Sequence, residues 1–473
     1  MRSDTIAAIS TAAAEGGIGI IRISGPEAVA IADRIFMHGK NSPDASKDRE
    51  GYLSGCPTHT IHYGFIMDKG EPVDEVLVSV MRAPRTYTAE DIVEINCHGG
   101  ICAMQQVLRT VLSHGARTAE PGEFTKRAFL NGRIDLSRAE AVLDVIQSKN
   151  RYALSNSVRQ VRGQLFRKIQ ENREIILTWM AEIEAGLDDP EHIPLEGFSD
   201  RIRPDVENSR ILLQKMRDSF YEGRLIREGI RTAIVGKPNA GKSSLLNLLL
   251  GQERAIVTDI AGTTRDILQE SVNIDGITLH MADTAGIRES DDIIEQIGVE
   301  KAKEQLENAD LVLFVTDASR PVSEDDEQIL HLMEKKNVIV LLNKTDLPVQ
   351  TEIEAVAGLL RSHGLSGEIP VISFSAKTGT GLDELKQEIR NRFFNGSIHY
   401  ENELLVTNAR QAEALGEAVT ALEEVLSGID NGMPEDFLSI DMRAACDALG
   451  LITGESVGED LADMIFSRFC MGK

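Results

Sequence analysis

An eight-residue run, Gly236-Lys-Pro-Asn-Ala-Gly-Lys242-Ser243, leaves this chain few folds to choose from. It follows a short apolar stretch, Thr232 to Val235, and opens a second one containing Leu245, Leu246, Leu248 and Leu249. A glycine-rich turn between a strand and a helix lets backbone N–H groups point inward, and the helix start adds the positive end of its dipole. Phosphate groups suit that concavity. Lys242 would reach the β- and γ-phosphates of a bound nucleotide, and the Ser243 hydroxyl would ligate Mg²⁺.

Three further segments lie at the ends of apolar stretches, where open α/β sheets bind ligands. Asp283-Thr284-Ala285-Gly286 supplies a carboxylate for the water shell of magnesium and a glycine N–H facing the γ-phosphate. Asn343-Lys344-Thr345-Asp346 offers Asp346 to the N1 and N2 donors of guanine, a pair that adenine lacks. Ser375-Ala376-Lys377 would complete the base pocket. Together they predict GTP as the nucleotide. Many regulatory GTPases orient the attacking water with a glutamine after the last glycine of the second motif. Here that position is Ile287, whose side chain cannot hydrogen-bond, so either hydrolysis is negligible or another group supplies this function.

Around these motifs, residues 230–392 alternate apolar strands with amphipathic segments, which predicts a mostly parallel sheet covered by helices. The strands are expected near 232–235, 278–282, 311–316, 338–342 and 371–374. From residue 5 to about 100 the chain is strand-rich, with runs at 18–23, 60–67, 75–81 and 91–96, a polar loop over 38–57 and a closing helix over 102–113. Helical periodicity follows. Ser137-Arg-Ala-Glu140 reads as a capping box, and one long apolar stripe runs from Val158 to Leu187. Asp188-Asp-Pro190 and a turn-rich run to Pro204 end it, and another helix is expected over about 205–222. Helical spacing returns after about 395, with Ser456-Val-Gly-Glu459 capping a last helix through Leu461, Ile465 and Phe469. The two helical stretches flank the α/β unit, so the simplest packing is one helical domain with that unit inserted.

With 473 residues the chain is too long for a single ordinary core. A net charge of −25 gives no support to non-specific polyanion binding. The five cysteines, Cys56, Cys97, Cys102, Cys446 and Cys470, form no CxxC pair and no disulfide framework, which fits a reducing cytoplasm. No stretch approaches the roughly 20 apolar residues that span a bilayer. Cys97 and Cys102 read as core or partly buried thiols, Trp179 as core, and His98 as a turn histidine.

Gly262-Thr-Thr-Arg-Asp266, KPNAGKS at 237–243 and the terminal Cys470-Met-Gly-Lys473 resemble the MnmE (TrmE) family of bacterial tRNA-modification GTPases. The resemblance extends over nearly the whole chain, through AEGGIGIIRISG at 14–25, APRTYTAEDIVEINCHGG at 83–100 and PGEFTKRAFLNGRIDL at 121–136. It implies a multidomain α/β protein of three parts. These are an α+β folate-binding and dimerising domain (1–133), a discontinuous all-α domain (134–228 and 394–473), and an inserted Ras-like P-loop GTPase domain (229–393).

By the same resemblance, GTP is held by Asn239, Ala240, Gly241, Lys242, Ser243 and Ser244, by Thr258, Asp259, Ile260, Ala261, Gly262, Thr263 and Thr264, and by the three motifs above. Thr264 joins Ser243 on Mg²⁺, and Asn239, Thr258, Ile260 and Thr263 hold K⁺ beside the β,γ-bridge. Glu295 orients water through a second water, which answers the problem posed by Ile287; Lys242 and Cys470 complete the implied catalytic set. Arg22, Glu94, Arg133 and Lys473 are implied to bind 5-formyltetrahydrofolate. Arg133 stands where family members carry lysine or arginine, and Met471 where they usually carry a branched aliphatic residue. The implied activity is K⁺-stimulated GTP hydrolysis by a homodimer. With the flavoprotein MnmG, it modifies C5 of the wobble uridine of certain tRNAs to a carboxymethylaminomethyl or aminomethyl group.

Without the resemblance, Asn239 braces its loop, Glu295 is an exposed helix-start glutamate, and Cys470 is a packing cysteine beside Phe469. Two other functions compete. One is a ribosome-assembly or regulatory switch whose N-terminal domain only docks; the other is a folate-dependent aminomethyl transferase with a regulatory GTPase domain. Folate binding separates the first from the tRNA reading, and activity without the flavoprotein separates the second.

Overall fold

The computed structural model describes residues 4–12, 14–39, 51–251, 270–281, 306, 308–322, 326, 333, 336–362, 369–394, 404–467, 469 and 472. Its first sheet has seven strands: β1 (Ile6–Ile9), β2 (Gly19–Ser24), β3 (Phe36–His38), β4 (Thr60–Asp68), β5 (Glu71–Met81), β6 (Ile92–Cys97) and β7 (Arg117–Thr118). They lie in the order β3-β4-β5-β6-β2-β1-β7, antiparallel throughout except for the β1–β7 pair. Strand side chains alternate between faces. Ile21, Ile23, Val93 and Ile95 therefore enter the core beneath helices Ala28–Ile35 and Ile101–Ser113. Arg22 and Glu94, a register pair, turn to the opposite face.

The second sheet has six strands: β8 (Ile230–Val235), β9 (Ser271–Ile274), β10 (Ile277–Met281), β11 (Leu311–Asp317), β12 (Val338–Asn343) and β13 (Val371–Ser373). Their order is β13-β12-β11-β8-β10-β9, parallel except for the β9–β10 hairpin, whose first strand was not expected from sequence. All six residues of β12 are buried. Ile339 and Leu341 join one apolar cluster, while Val338, Val340 and Leu342 join another across the sheet. Covering on both faces explains why these strands read as continuous apolar runs rather than alternating ones.

Helices Leu136–Gln147, Arg151–Val161, Gln164–Asp188, Phe198–Asp218 and Phe220–Glu228 precede this sheet, and Ala409–Asp430, Glu435–Thr453 and Glu459–Phe466 follow it. One core contains Leu165, Ile169, Ile202 and Leu213 from the first set and Leu415, Leu422, Met442 and Leu449 from the second. The all-α domain is thus discontinuous, with the α/β unit inserted.

Several local expectations are corrected. Asp135, not Ser137, caps the helix at 136, its carboxylate accepting from the Arg138 N–H, while Ser137 is buried. The stripe from Val158 to Leu187 is two helices, separated where Gly163 adopts φ +78°. Pro204 lies inside the helix Phe198–Asp218, which begins earlier than predicted because Phe198, Ile202 and Val206 form its buried face. Gly458, not Ser456, stands at the N-cap of the last helix. Cys102 is exposed, whereas Cys97 is buried; both are free thiols. Trp179 is packed against the helical core and donates its indole N–H to Asp205 at 3.1 Å. No helix among the described residues is long and apolar enough to cross a membrane.

Candidate functional site

Two constellations stand out, one at the ends of the parallel strands and one on the open face of the N-terminal sheet. In the first, β8 runs into Gly236 at φ +150°, where a Cβ would sit 2.1 Å from the Val315 carbonyl oxygen. Only glycine passes there. The chain then turns through Asn239, an exposed residue at φ +61°, and Gly241 at φ +104°, before the helix Lys242–Leu250 begins. Lys242 Nζ donates to the carbonyls of Gly236 and Lys237, both at 2.7 Å, so the loop is wrapped around its own ammonium. Burial lowers the Lys242 pKa from its ordinary value. Ser243 and Ser244 are exposed in the first turn of that helix.

Asn343, at the end of β12, ties the phosphate loop to the base loop. Its Nδ2 donates to the Ala240 carbonyl at 2.8 Å, and its Oδ1 accepts from the Ala376 N–H at 2.9 Å. A Cβ on Gly241 would lie 2.1 Å from that Nδ2, which gives this glycine a second reason beyond its backbone conformation. Asp346 is exposed, and one of its carboxylate oxygens accepts from Ser375 Oγ at 2.8 Å. Lys377 follows in the same loop.

Lys344, at φ +65°, reaches across to Asp317 at 2.7 Å. Burial opposes the Asp317 charge, but hydrogen bonds from Lys344 and Ser319 outweigh it and hold the carboxyl below its ordinary pKa. Sequence reasoning missed Asp317. Its signal was an acidic residue closing an apolar strand, in register with Asn343 on the neighbouring one.

On the N-terminal sheet, Arg22 Nε donates to Glu94 Oε1 at 2.8 Å. The Arg22 guanidinium also lies over the rings of Tyr87 and Phe124, at 5.4 and 5.6 Å. Arg133 stacks on Tyr87 at 4.8 Å, and burial lowers its pKa; among the described residues it faces no carboxylate. The far end of the chain arrives at the same place. The Gly472 carbonyl accepts from Ser10 Oγ at 3.0 Å and from Arg22 Nη1 at 3.2 Å. The structure thus brings Arg22, Glu94 and Arg133 around one aromatic face with the C-terminal tail beside them.

Residues 5–133 match the family described as the GTP-binding protein TrmE N-terminus, and residues 136–470 match the MnmE helical domain. A tRNA modification GTPase MnmE from Lachnoclostridium phytofermentans is 51% identical over 473 residues, covering 100% of both chains. The proteins of the same name from Geobacillus thermodenitrificans and Acetivibrio thermocellus are 48% and 47% identical, covering 99% and 100% of both chains. The chain belongs to the MnmE family. It is accordingly a GTP hydrolase.

MnmE membership spans both constellations, including parts beyond the described residues. Thr258, Asp259, Ile260, Ala261, Gly262, Thr263 and Thr264, together with Asp283, Thr284, Ala285, Gly286 and Glu295, lie outside them. Cys470 and Lys473 do as well, although Phe469 and Gly472 are placed. Among the residues described, no group of three or more histidine, cysteine or acidic side chains is arranged to hold a metal.

Proposed function

We propose that the protein hydrolyses GTP to drive modification of the wobble uridine of tRNA at C5, as a homodimer working with the flavoprotein MnmG. Its parts are a folate-binding and dimerising domain over 1–133, a helical domain over 134–228 and 394–473, and a GTPase domain over 229–393. Asp346, Asn343, Lys344 and the loop Ser375 to Lys377 select guanine; Lys242 and Asn239 to Ser244 hold the phosphates, and Thr258 to Thr264 and Asp283 to Gly286 are further nucleotide-binding residues. Mg²⁺ on Ser243 and Thr264, and K⁺ on Asn239, Thr258, Ile260 and Thr263, would neutralise charge developing on the phosphates. The exposed, left-handed Asn239 supports that assignment, since the residue is open to solvent rather than packed beneath the loop. Glu295 positions the water that Ile287 cannot.

The observation that carries the tRNA reading over a simple switch is the second constellation. A docking module has no need of Arg22, Glu94 and Arg133 gathered on one aromatic face. A folate has a flat pterin whose amino group a carboxylate can accept, and a glutamate tail that a guanidinium can pair. Glu94, Arg22, Arg133 and Lys473 would fill those roles for 5-formyltetrahydrofolate, a one-carbon donor. Cys470, close by in sequence to the docked Gly472, would bring a thiol to the same chemistry. Homodimer formation is supported by Ile61, Tyr63 and Leu77, exposed at 66%, 49% and 47% on neighbouring strands β4 and β5, an apolar face that a second copy would cover.

The test is GTP turnover in K⁺ against Na⁺ buffer over a range of protein concentrations, alongside titration with 5-formyltetrahydrofolate. Turnover that needs K⁺ and rises with concentration, together with saturable folate binding, is expected. Equal turnover in both salts would remove the cation mechanism, and absence of folate binding would return the N-terminal domain to a docking role.

A further inference from the structure

Helix Arg151–Val161 lies outside the α/β unit, yet it holds the places where that unit's chain enters, turns and leaves. At its far end, Asn156 exchanges two hydrogen bonds with the Leu405 backbone at 3.0 and 3.1 Å, and Gln160 adds a third at 2.8 Å. This fixes the exit segment. At its start, the Tyr152 ring packs on Gly276 at the β9–β10 turn, so closely that a Cβ there would lie 2.4 Å from Cε2.

Asn150 joins what remains. Its Oδ1 caps the helix by accepting the Ala153 N–H at 2.8 Å. Its Nδ2 donates both to the Ile226 carbonyl at 2.9 Å and to Thr278 Oγ1 at 3.2 Å. Ile226 lies just ahead of β8, the strand that ends in the phosphate loop, and Thr278 lies in β10, the strand that leads to Asp283. These strands are parallel neighbours whose ladder begins at the Leu279–Ile230 pair. Thr278 lies just before that pair, so Asn150 closes the open end of the ladder. Asn150 and Thr278 are both buried, which keeps water from replacing either bond.

We propose that Asn150 is a positioning residue for GTP hydrolysis. From the helical domain it sets how β10 lies against β8, the strand that ends in the phosphate loop, and β10 is the strand after which Asp283 stands in the sequence. This rests on the GTPase reading above. The guanine pocket and the phosphate loop are built from β8, β12 and the loops after β12 and β13, so losing the Asn150 link leaves nucleotide affinity intact. Only the alignment needed for hydrolysis suffers.

The experiment uses the full chain with Asn150→Ser, Thr278→Val and both together. Serine keeps a capping oxygen for Ala153 but removes both donations; valine keeps the shape of Thr278 but removes the acceptor. The expected result is kcat lower by about fivefold to twentyfold in each single variant, the span of typical coupling energies, with GDP affinity within about twofold of wild type. The double variant should be no slower than Asn150→Ser, because both changes break one link. Unchanged kcat in both folded variants, GDP affinity falling in step with kcat, or fully additive losses would each overturn the proposal. If Asn150→Ser does not fold, Thr278→Val decides alone by the same criteria. A wild-type chain that binds GDP but turns over no GTP would overturn the GTPase reading as well, a failure visible before any variant is compared.

Discussion

Asp317 does for Lys344 what Ser375 does for Asp346: each holds in place a side chain of the proposed guanine pocket. Lys344 sits at φ +65°, a conformation that non-glycine residues rarely adopt, so its backbone already departs from the strand and its long side chain needs an anchor. The anchor is a 2.7 Å ion pair to a carboxylate that Ser319 fixes in turn through its N–H at 2.9 Å and its hydroxyl at 2.6 Å. Asp317→Ala should therefore weaken GTP binding by roughly tenfold, through loss of one well-placed charge pair and the added freedom of the lysine. Titration with GTP and GDP measures this, and an unchanged affinity would mean that Lys344 needs no anchor. The residues whose chemistry is local to a motif, Lys242, Asn343 and Asp346, were legible in the sequence because their neighbours in the chain define the loop. Asp317 and Asn150 were not. Their partners lie on other elements, at sequence separations of 27 and 128 residues, and no pattern within either segment points across such a gap.

At the scale of elements, burial decided what the sequence could convey. Strands covered on both faces, such as β12, stood out as unbroken apolar runs, and the surrounding helices as stripes. Element ends were misplaced for definite reasons. Asp135 outcompeted Ser137 as a cap, a single left-handed glycine at 163 cut one stripe into two helices, and burial of Phe198 and Ile202 carried a helix through Pro204. The β9–β10 hairpin carries a titrating element of its own. His280, in β10, bonds to Ser271 at 2.8 Å and lies against Gly229, where a Cβ would come within 2.7 Å of its ring. Burial, and then the nearby Lys149, lower its pKa below the ordinary 6.5, opposed by the Glu228 backbone and aided least by Arg231. The unfolded chain then takes up the proton first as pH falls. The stability from neutral His280 is full above about pH 6.5 and is lost as pH drops through the folded-state value. His280→Gln should flatten the fall in unfolding temperature between about pH 7.5 and pH 5.5. Parallel slopes for variant and wild type would show that other groups set the acid limit.

Across the whole molecule, the chain closes on itself twice. The helical domain draws on both flanks of the inserted unit and latches the two crossings together. Arg227 on the way in pairs with buried Asp144 at 2.9 Å, and Thr407 on the way out donates to the same carboxylate at 3.2 Å. The second closure joins the ends. Helix Glu459–Phe466 packs on helix Glu123–Leu130, with Phe466 6.0 Å from Phe129 and Lys126 paired to Asp463, and this delivers the tail to β1 and β2. Gly472 makes that delivery possible. It adopts φ +88°, and a Cβ would lie 2.3 Å from the Ile9 carbonyl oxygen. Gly472→Ala must therefore lift Gly472 off β1, taking away the carbonyl that accepts from Arg22, beside the proposed folate ligand Lys473 in the sequence. The phosphate loop and guanine pocket are built from other strands and are not touched. The expected outcome is 5-formyltetrahydrofolate affinity reduced by about tenfold or more, with GTP turnover within about twofold of wild type. Folate titration and turnover on the same preparation read the two sites separately. Unchanged folate affinity would place the ligand away from Arg22 and the tail, whereas equal loss at both sites would mean that the tail supports the whole chain rather than one site.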